Sequence, residues 1–150
     1  MQNRTKDRGV TLLELLVVLT IVGLLAGMVV PSAASMADRL TVEHEAARLL
    51  VAYRSAWLTA RVQHRLALLR ITPDSLAIRT VGSAGAADTL LTWLAPGPIA
   101  AGVQLRSPAH TTVFAPDGIA MGFANTTLVL ERGRTVRRVV VSRLGRVRIQ

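Results

Sequence analysis

Gly9-Val10-Thr11-Leu12-Leu13-Glu14 opens an apolar run that continues to Val30 and stops at Pro31, with Glu14 as its only charge. The 21 residues from Val10 to Val30 give about 31 Å of helix at about 1.5 Å each, enough for one bilayer crossing. Eleven Leu, Ile and Val residues between Leu15 and Val30, at roughly −0.3 to −0.6 kcal/mol each, outweigh one carboxylate at roughly +2.5 to +3.5 kcal/mol. Ahead of the run stand nine polar residues with Arg4, Lys6 and Arg8 against Asp7. This leader is too short and too hydrophilic for a three-part secretory peptide. Its positive charge keeps the N-terminus cytoplasmic and sends residues 32–150 to the far side of the membrane. Glu14 has no cation within a turn of helix, so either it reaches back to the headgroups or it has a partner outside its own chain.

Those residues resemble the N-terminus of the type IV pilin and type II secretion pseudopilin superfamily: a short basic leader, Gly, a hydrophobic residue, Thr-Leu-Leu-Glu and a long apolar helix. Gly9, Thr11, Leu12, Leu13, Glu14 and Pro31 stand where the pattern places them, and Val10 replaces the usual Phe with another hydrophobic residue. The resemblance implies a membrane prepilin peptidase that cuts between Gly9 and Val10 and N-methylates the new amine of Val10. It also implies that Glu14 meets that amine on a neighbouring subunit as helices pack into a filament, an ion pair that sets register more than stability. Pro31 is the expected site of a helix bend.

The remaining chain is one domain by length. It contains no cysteine, so an extracytoplasmic head has to rely on core packing without disulfides. Hydrophobic content is 51% but aromatics are only Tyr53, Trp57, Trp93, Phe114 and Phe123, which predicts an aliphatic core. Residues 32 to about 64 lack Gly and Pro, and Met36, Leu40, Ala47, Leu50, Tyr53, Trp57 and Ala60 recur near helical spacing. This predicts an amphipathic helix continuing the anchor, its apolar stripe either under a sheet or open as a groove for partner helices, the following strands favouring the sheet, with Asp38, Arg39, Glu43, Glu45, Arg48 and Arg54 on the solvated side.

Beyond it, short runs alternate with turn residues. Strands are expected at 66–71, 76–81, 90–94, 103–106, 112–114, 127–130, 136–142 and 146–149. Thr72-Pro73-Asp74-Ser75 closes a hairpin, and further turns fall at Ala95-Pro96-Gly97-Pro98, Ala115-Pro116-Asp117-Gly118, Arg132-Gly133-Arg134 and Leu144-Gly145. Gly82 to Ala87 reads as an exposed loop. The class is α+β, with divisions at 1–9 (leader), 10–31 (transmembrane helix), 32–65 (amphipathic helix) and 66–150 (β-rich head).

Thr112-Val113-Phe114-Ala115-Pro116-Asp117-Gly118, Val139-Val140-Val141-Ser142 and Gly145-Arg146-Val147-Arg148 resemble the GspH/FimT group within that superfamily. Membership implies a minor pseudopilin that initiates the periplasmic pseudopilus of type II secretion. The alternative is a FimT-like minor pilin whose closing Gly-Arg-x-Arg, here Gly145, Arg146 and Arg148, holds DNA during uptake. The implied partners are the prepilin peptidase, sibling pilins or pseudopilins, the inner-membrane assembly platform and, in the alternative, DNA.

Net charge is +9, from 17 arginines and one lysine, and seven arginines lie between Arg132 and Arg148. Strand alternation places Arg146 and Arg148 on one face, with Arg143 before the turn. Such a tail suits phosphate backbones, anionic headgroups or plain solvation, and few aromatics accompany it for base stacking. No catalytic constellation is legible: His44, His64 and His110 lie in no recognisable motif, Ser107 beside His110 reads as a turn residue, and no cofactor or metal is expected. Glu43-His44-Glu45 points in different directions on a helix and is not a ligand set.

Overall fold

The computed structural model describes residues 10–82, 85–121, 125–142 and 146–150, the side chains of 28–32 and 85–88 excepted. Among these residues a helix α1 (Leu12–Gln63) precedes strands β1 (Ala67–Ile71), β2 (Ser75–Gly82), β3 (Gly85–Pro96), a 3-10 turn (Pro98–Ala101), β4 (Gln104–Leu105), β5 (His110–Phe114), β6 (Ala120–Met121), β7 (Thr126–Arg132), β8 (Thr135–Val141) and β9 (Val147–Ile149). The α+β class expected from the sequence is the class observed. The chain divides into two compact units, Met1–Met36 and Ala37–Gln150.

In the first unit α1 runs on through Pro31, although proline supplies no N–H to the helical ladder. Gly9, the basic leader and the side chain of Pro31 lie outside the described residues.

In the second unit α1 buries Val42, Glu45, Ala46, Leu49, Ala52, Tyr53, Ala56 and Ala60, a stripe at spacings of three and four. This corrects the expected stripe. Tyr53 and Ala60 belong to it, whereas Ala47 is exposed and Leu40 remains 55% exposed. Four alanines at 46, 52, 56 and 60 belong to the buried face. The spacing was read without Ala46 and Leu49, which carry the buried face where Ala47 was expected. Glu45, expected in water, is 2% exposed. The helix ends without glycine: His64 adopts φ 51, the left-handed cap conformation, and Arg65 N donates to Ala60 O at 3.2 Å.

Two antiparallel sheets cover the stripe, one ordered β3-β2-β1-β5-β6 and one ordered β4-β7-β8-β9. Thr72–Ser75 closes the β1–β2 hairpin as expected, with Ile71 opposite Leu76 and Thr72 Oγ1 accepting from Ser75 N at 3.0 Å. The loop expected at 82–87 is instead largely strand: Gly82 ends β2, Gly85 starts β3, and the two pair. Ladder hydrogen bonds to β2 supply what this weakly β-forming Gly-Ala stretch lacks by itself. A register shift between Ile78 and Arg79 lies where Thr92 is the extra residue, its hydroxyl 3.3 Å from that of Thr80.

Two turns read separately from the sequence meet in space. Gly97 N donates to Asp74 O at 2.8 Å and Ile99 N to Pro73 O at 3.1 Å. A Cβ on Gly97 would overlap the backbone of Pro73, Asp74 and Ser75, so only glycine fits.

The core is aliphatic apart from Tyr53 and Phe114, which meet edge to face with ring centroids 6.4 Å apart. Among the described residues, every buried core side chain lies in Ala37–Gln150. This unit carries its own core and is expected to fold without the first 36 residues.

Candidate functional site

Thr11 Oγ1 accepts the backbone N–H of Glu14 at 3.3 Å. Thr11 is therefore the N-cap of α1 and Glu14 its N3 residue, in the Thr-x-x-Glu order of a capping box. The signature was present in the sequence but was read there only as part of the longer motif. In the first turn the Glu14 carboxylate also lies at the positive end of the helix. Beyond it the first unit presents apolar side chains on all sides, from Leu12 (89% exposed) to Leu25. So large an apolar surface requires lipid or partner helices around it. Among the described residues no helix is long and apolar enough to cross a membrane; the side chains of 28–32, which complete the run in the sequence, are outside that set.

Among the described residues, five of the head's arginines are paired with carboxylates and nine are not. Arg132 Nε donates to Asp38 Oδ1 at 2.8 Å and its Nη1 to Ala101 O, while Arg137 Nη2 donates to Glu43 Oε1 at 2.9 Å. Arg39 shares Glu43, Arg106 pairs with Glu131, and Arg48 grips both oxygens of buried Glu45 and reaches Pro96 O. The reading of 132–148 as one basic tail is thereby corrected, since Arg132 and Arg137 fasten the second sheet to α1. Asp38, Glu43 and Glu45, read as a solvated side, are the acids they and Arg48 engage.

Of the nine without a carboxylate partner, three stand together. Arg146 and Arg148 line one groove together with Arg54 of α1, and so does Val147, which strand alternation was expected to turn to the other face. Among the described residues none of these three arginines makes a salt bridge. The groove has a volume of about 640 Å³, and Leu50, Tyr53, Trp57, Leu58 and Val147 form its apolar lining. Arg61 lies over the Trp57 ring at 4.8 Å, and Gly118, at φ 87, packs against the indole. Arg54 and Trp57 were not singled out as site residues by sequence reading. Their spacing of three on a helix could have flagged them, but not their nearness to β9. Arg143 and Gly145 lie outside the described residues.

Ser107 behaves as the turn residue expected: its hydroxyl donates to Thr127 O at 3.1 Å and accepts from Val129 N at 3.0 Å.

Acid should lower the stability of the head over two pH ranges. Burial lowers the pKa of His110 below its ordinary 6.5. The unfolded chain therefore takes up the proton first, and stability complete above pH 6.5 declines below it. Hydrogen bonds from Arg137 and then Arg39 hold Glu43 below its ordinary 4.5, and Arg106 does the same for Glu131. Their contributions are present above pH 4.5 and disappear as pH falls through the folded values. Melting curves of residues 37–150 should show His110→Asn flattening the decline over the first range and Glu43→Gln part of that over the second. A variant with the parent's full acid profile would show that assignment to be wrong.

Residues 4–30 match the model of the prokaryotic N-terminal methylation motif. No curated protein sequence matches the chain. Among solved structures, the type IV minor pilin FimU of Pseudomonas aeruginosa is similar in two crystal forms. One has 19% identity and a TM-score of 0.61, covering 77% of this chain and 92% of FimU; the other has 16% identity and a TM-score of 0.55, covering 72% and 91%. The fold is the pilin fold: a long N-terminal helix followed by an antiparallel β head.

Proposed function

We propose that this chain, with its prepilin-type methylation motif and its pilin fold, is a minor subunit of an extracytoplasmic filament. The observation that carries the reading is the exposed apolar surface of α1 from Leu15 to Leu25, behind a capped, acidic first turn. Residues 10–31 anchor the precursor as a single inner-membrane span bent at Pro31, with the leader cytoplasmic and the head periplasmic. Prepilin peptidase removes residues 1–9 after Gly9 and methylates Val10. The assembly platform then draws the helix out among its siblings, and Glu14 sets register against a neighbour's Val10 amine. The mechanism is packing, with no catalytic step.

Likeness to a minor pilin favours the type IV pilus class. The type II secretion pseudopilus uses the same anchor and head, and loss of surface pili as against loss of exported protein in a deletion strain separates the two. DNA binding during uptake is the second reading, and the unpaired Arg146 and Arg148 favour it.

Mass spectrometry of the chain expressed with a prepilin peptidase should find a mature N-terminus at Val10 carrying one extra methyl group. A protein that keeps residues 1–9 would sink the filament reading.

A further inference from the structure

We infer that the groove between α1 and β9 seats an acidic, extended peptide segment of a partner protein, laid along β9 with an apolar side chain against Trp57 and Leu58. Charge is the first ground. Arg39, Arg48, Arg106, Arg132 and Arg137 are matched by carboxylates of this chain; of the nine described arginines that are not, Arg54, Arg146 and Arg148 converge on one groove. Their complement comes from outside, and guanidinium forks suit carboxylates.

The second ground is the lining. Leu50, Trp57, Leu58 and Val147 give the groove an apolar wall, which a phosphodiester backbone has nothing to fill and a peptide side chain does. A volume of about 640 Å³ falls within the roughly 300–1,000 Å³ of ligand-sized clefts.

The third ground is the sheet edge. β9 ends its sheet. Arg138 and Gln150 exchange both backbone hydrogen bonds, and Ser142 N donates to Arg146 O, so 146, 148 and 150 face β8 in the ladder. By alternation the N–H and C=O groups of Val147 and Ile149 point to the open side. An added strand would take them up, with main-chain bonds giving affinity and the arginines giving specificity. That the donor is a sibling subunit rests on the filament reading; the chemistry of the ligand does not.

The test uses the full chain in detergent micelles and a fluorescein-labelled peptide of alternating Glu and apolar residues with one Phe. A Gln-for-Glu peptide and a duplex DNA oligonucleotide are the comparison ligands. The acidic peptide should bind more weakly as salt rises, and the Gln peptide should bind at least about tenfold more weakly. Arg146→Ala with Arg148→Ala should cost about tenfold or more. Leu58→Ser should cost at least about fivefold for the peptide and leave DNA unaffected. Leu58 is 54% exposed, so that change spares the core, and unchanged melting curves confirm it. DNA binding as tight as the peptide and indifferent to Leu58 would overturn the proposal in favour of a phosphate-backbone site. Binding of neither ligand would overturn it too, leaving the mature N-terminus at Val10 as a separate, unaffected result.

Discussion

Arg48→Ala should destabilise the head by about 3–5 kcal/mol, the cost of leaving a buried carboxylate without its cation. Glu45 is 2% exposed, and Arg48, at 29%, holds both its oxygens at 2.8 and 2.9 Å. The second guanidinium nitrogen bonds Pro96 O at 2.9 Å, so the same change also frees the end of β3. The double variant Glu45→Leu with Arg48→Met should behave differently. Replacing both charges by apolar groups of similar volume removes the desolvation cost along with the attraction, and such exchanges are often neutral or stabilising by roughly 1–4 kcal/mol. Urea unfolding of residues 37–150 measures both. A loss below about 1 kcal/mol in Arg48→Ala, typical of exposed pairs, would show that Glu45 reaches water in solution.

Glu14 should separate a local role from an intermolecular one. As N3 of the capping box it contributes about 0.3–1 kcal/mol to the first turn through the helix dipole. As the proposed partner of a neighbour's Val10 amine it contributes far more, because an unpaired charge inside an apolar helix bundle costs about 3–5 kcal/mol, a factor of hundreds in incorporation. Glu14→Gln tells the two apart, since glutamine serves a capping box nearly as well as glutamate but cannot neutralise an amine. Both Glu14→Gln and Glu14→Ala should be cleaved after Gly9 yet be almost absent from sheared filaments, as read by quantitative immunoblotting. Normal incorporation of Glu14→Gln would remove the ion pair from the mechanism and leave Glu14 a capping residue.

The two predictions differ in how their sites came to light. Glu14 was legible because its cause lies within a few residues: an uninterrupted apolar run on one side, a basic leader on the other, and Thr11 three positions before it. The hairpin at Thr72–Ser75 was legible for the same reason, since Pro73 and Asp74 dictate the turn locally. Glu45 was misread. Hydropathy places a carboxylate in water, and nothing near residue 45 announces that two sheets will close over it.

Sequence by itself determined the elements whose physics is local: the anchor run, the capped start of α1, the change from helical to alternating pattern after residue 64, and most turns. Tertiary structure decided which helix face is core, because the face the sheets cover carries four alanines, whose side chains do not announce it in the sequence. It decided which arginines are matched, because Arg132 and Arg137 reach acids 94 residues away. It also brought Arg54 and Trp57 beside β9, because a groove is made by two elements distant in the chain, and neither contains the signal that they will meet.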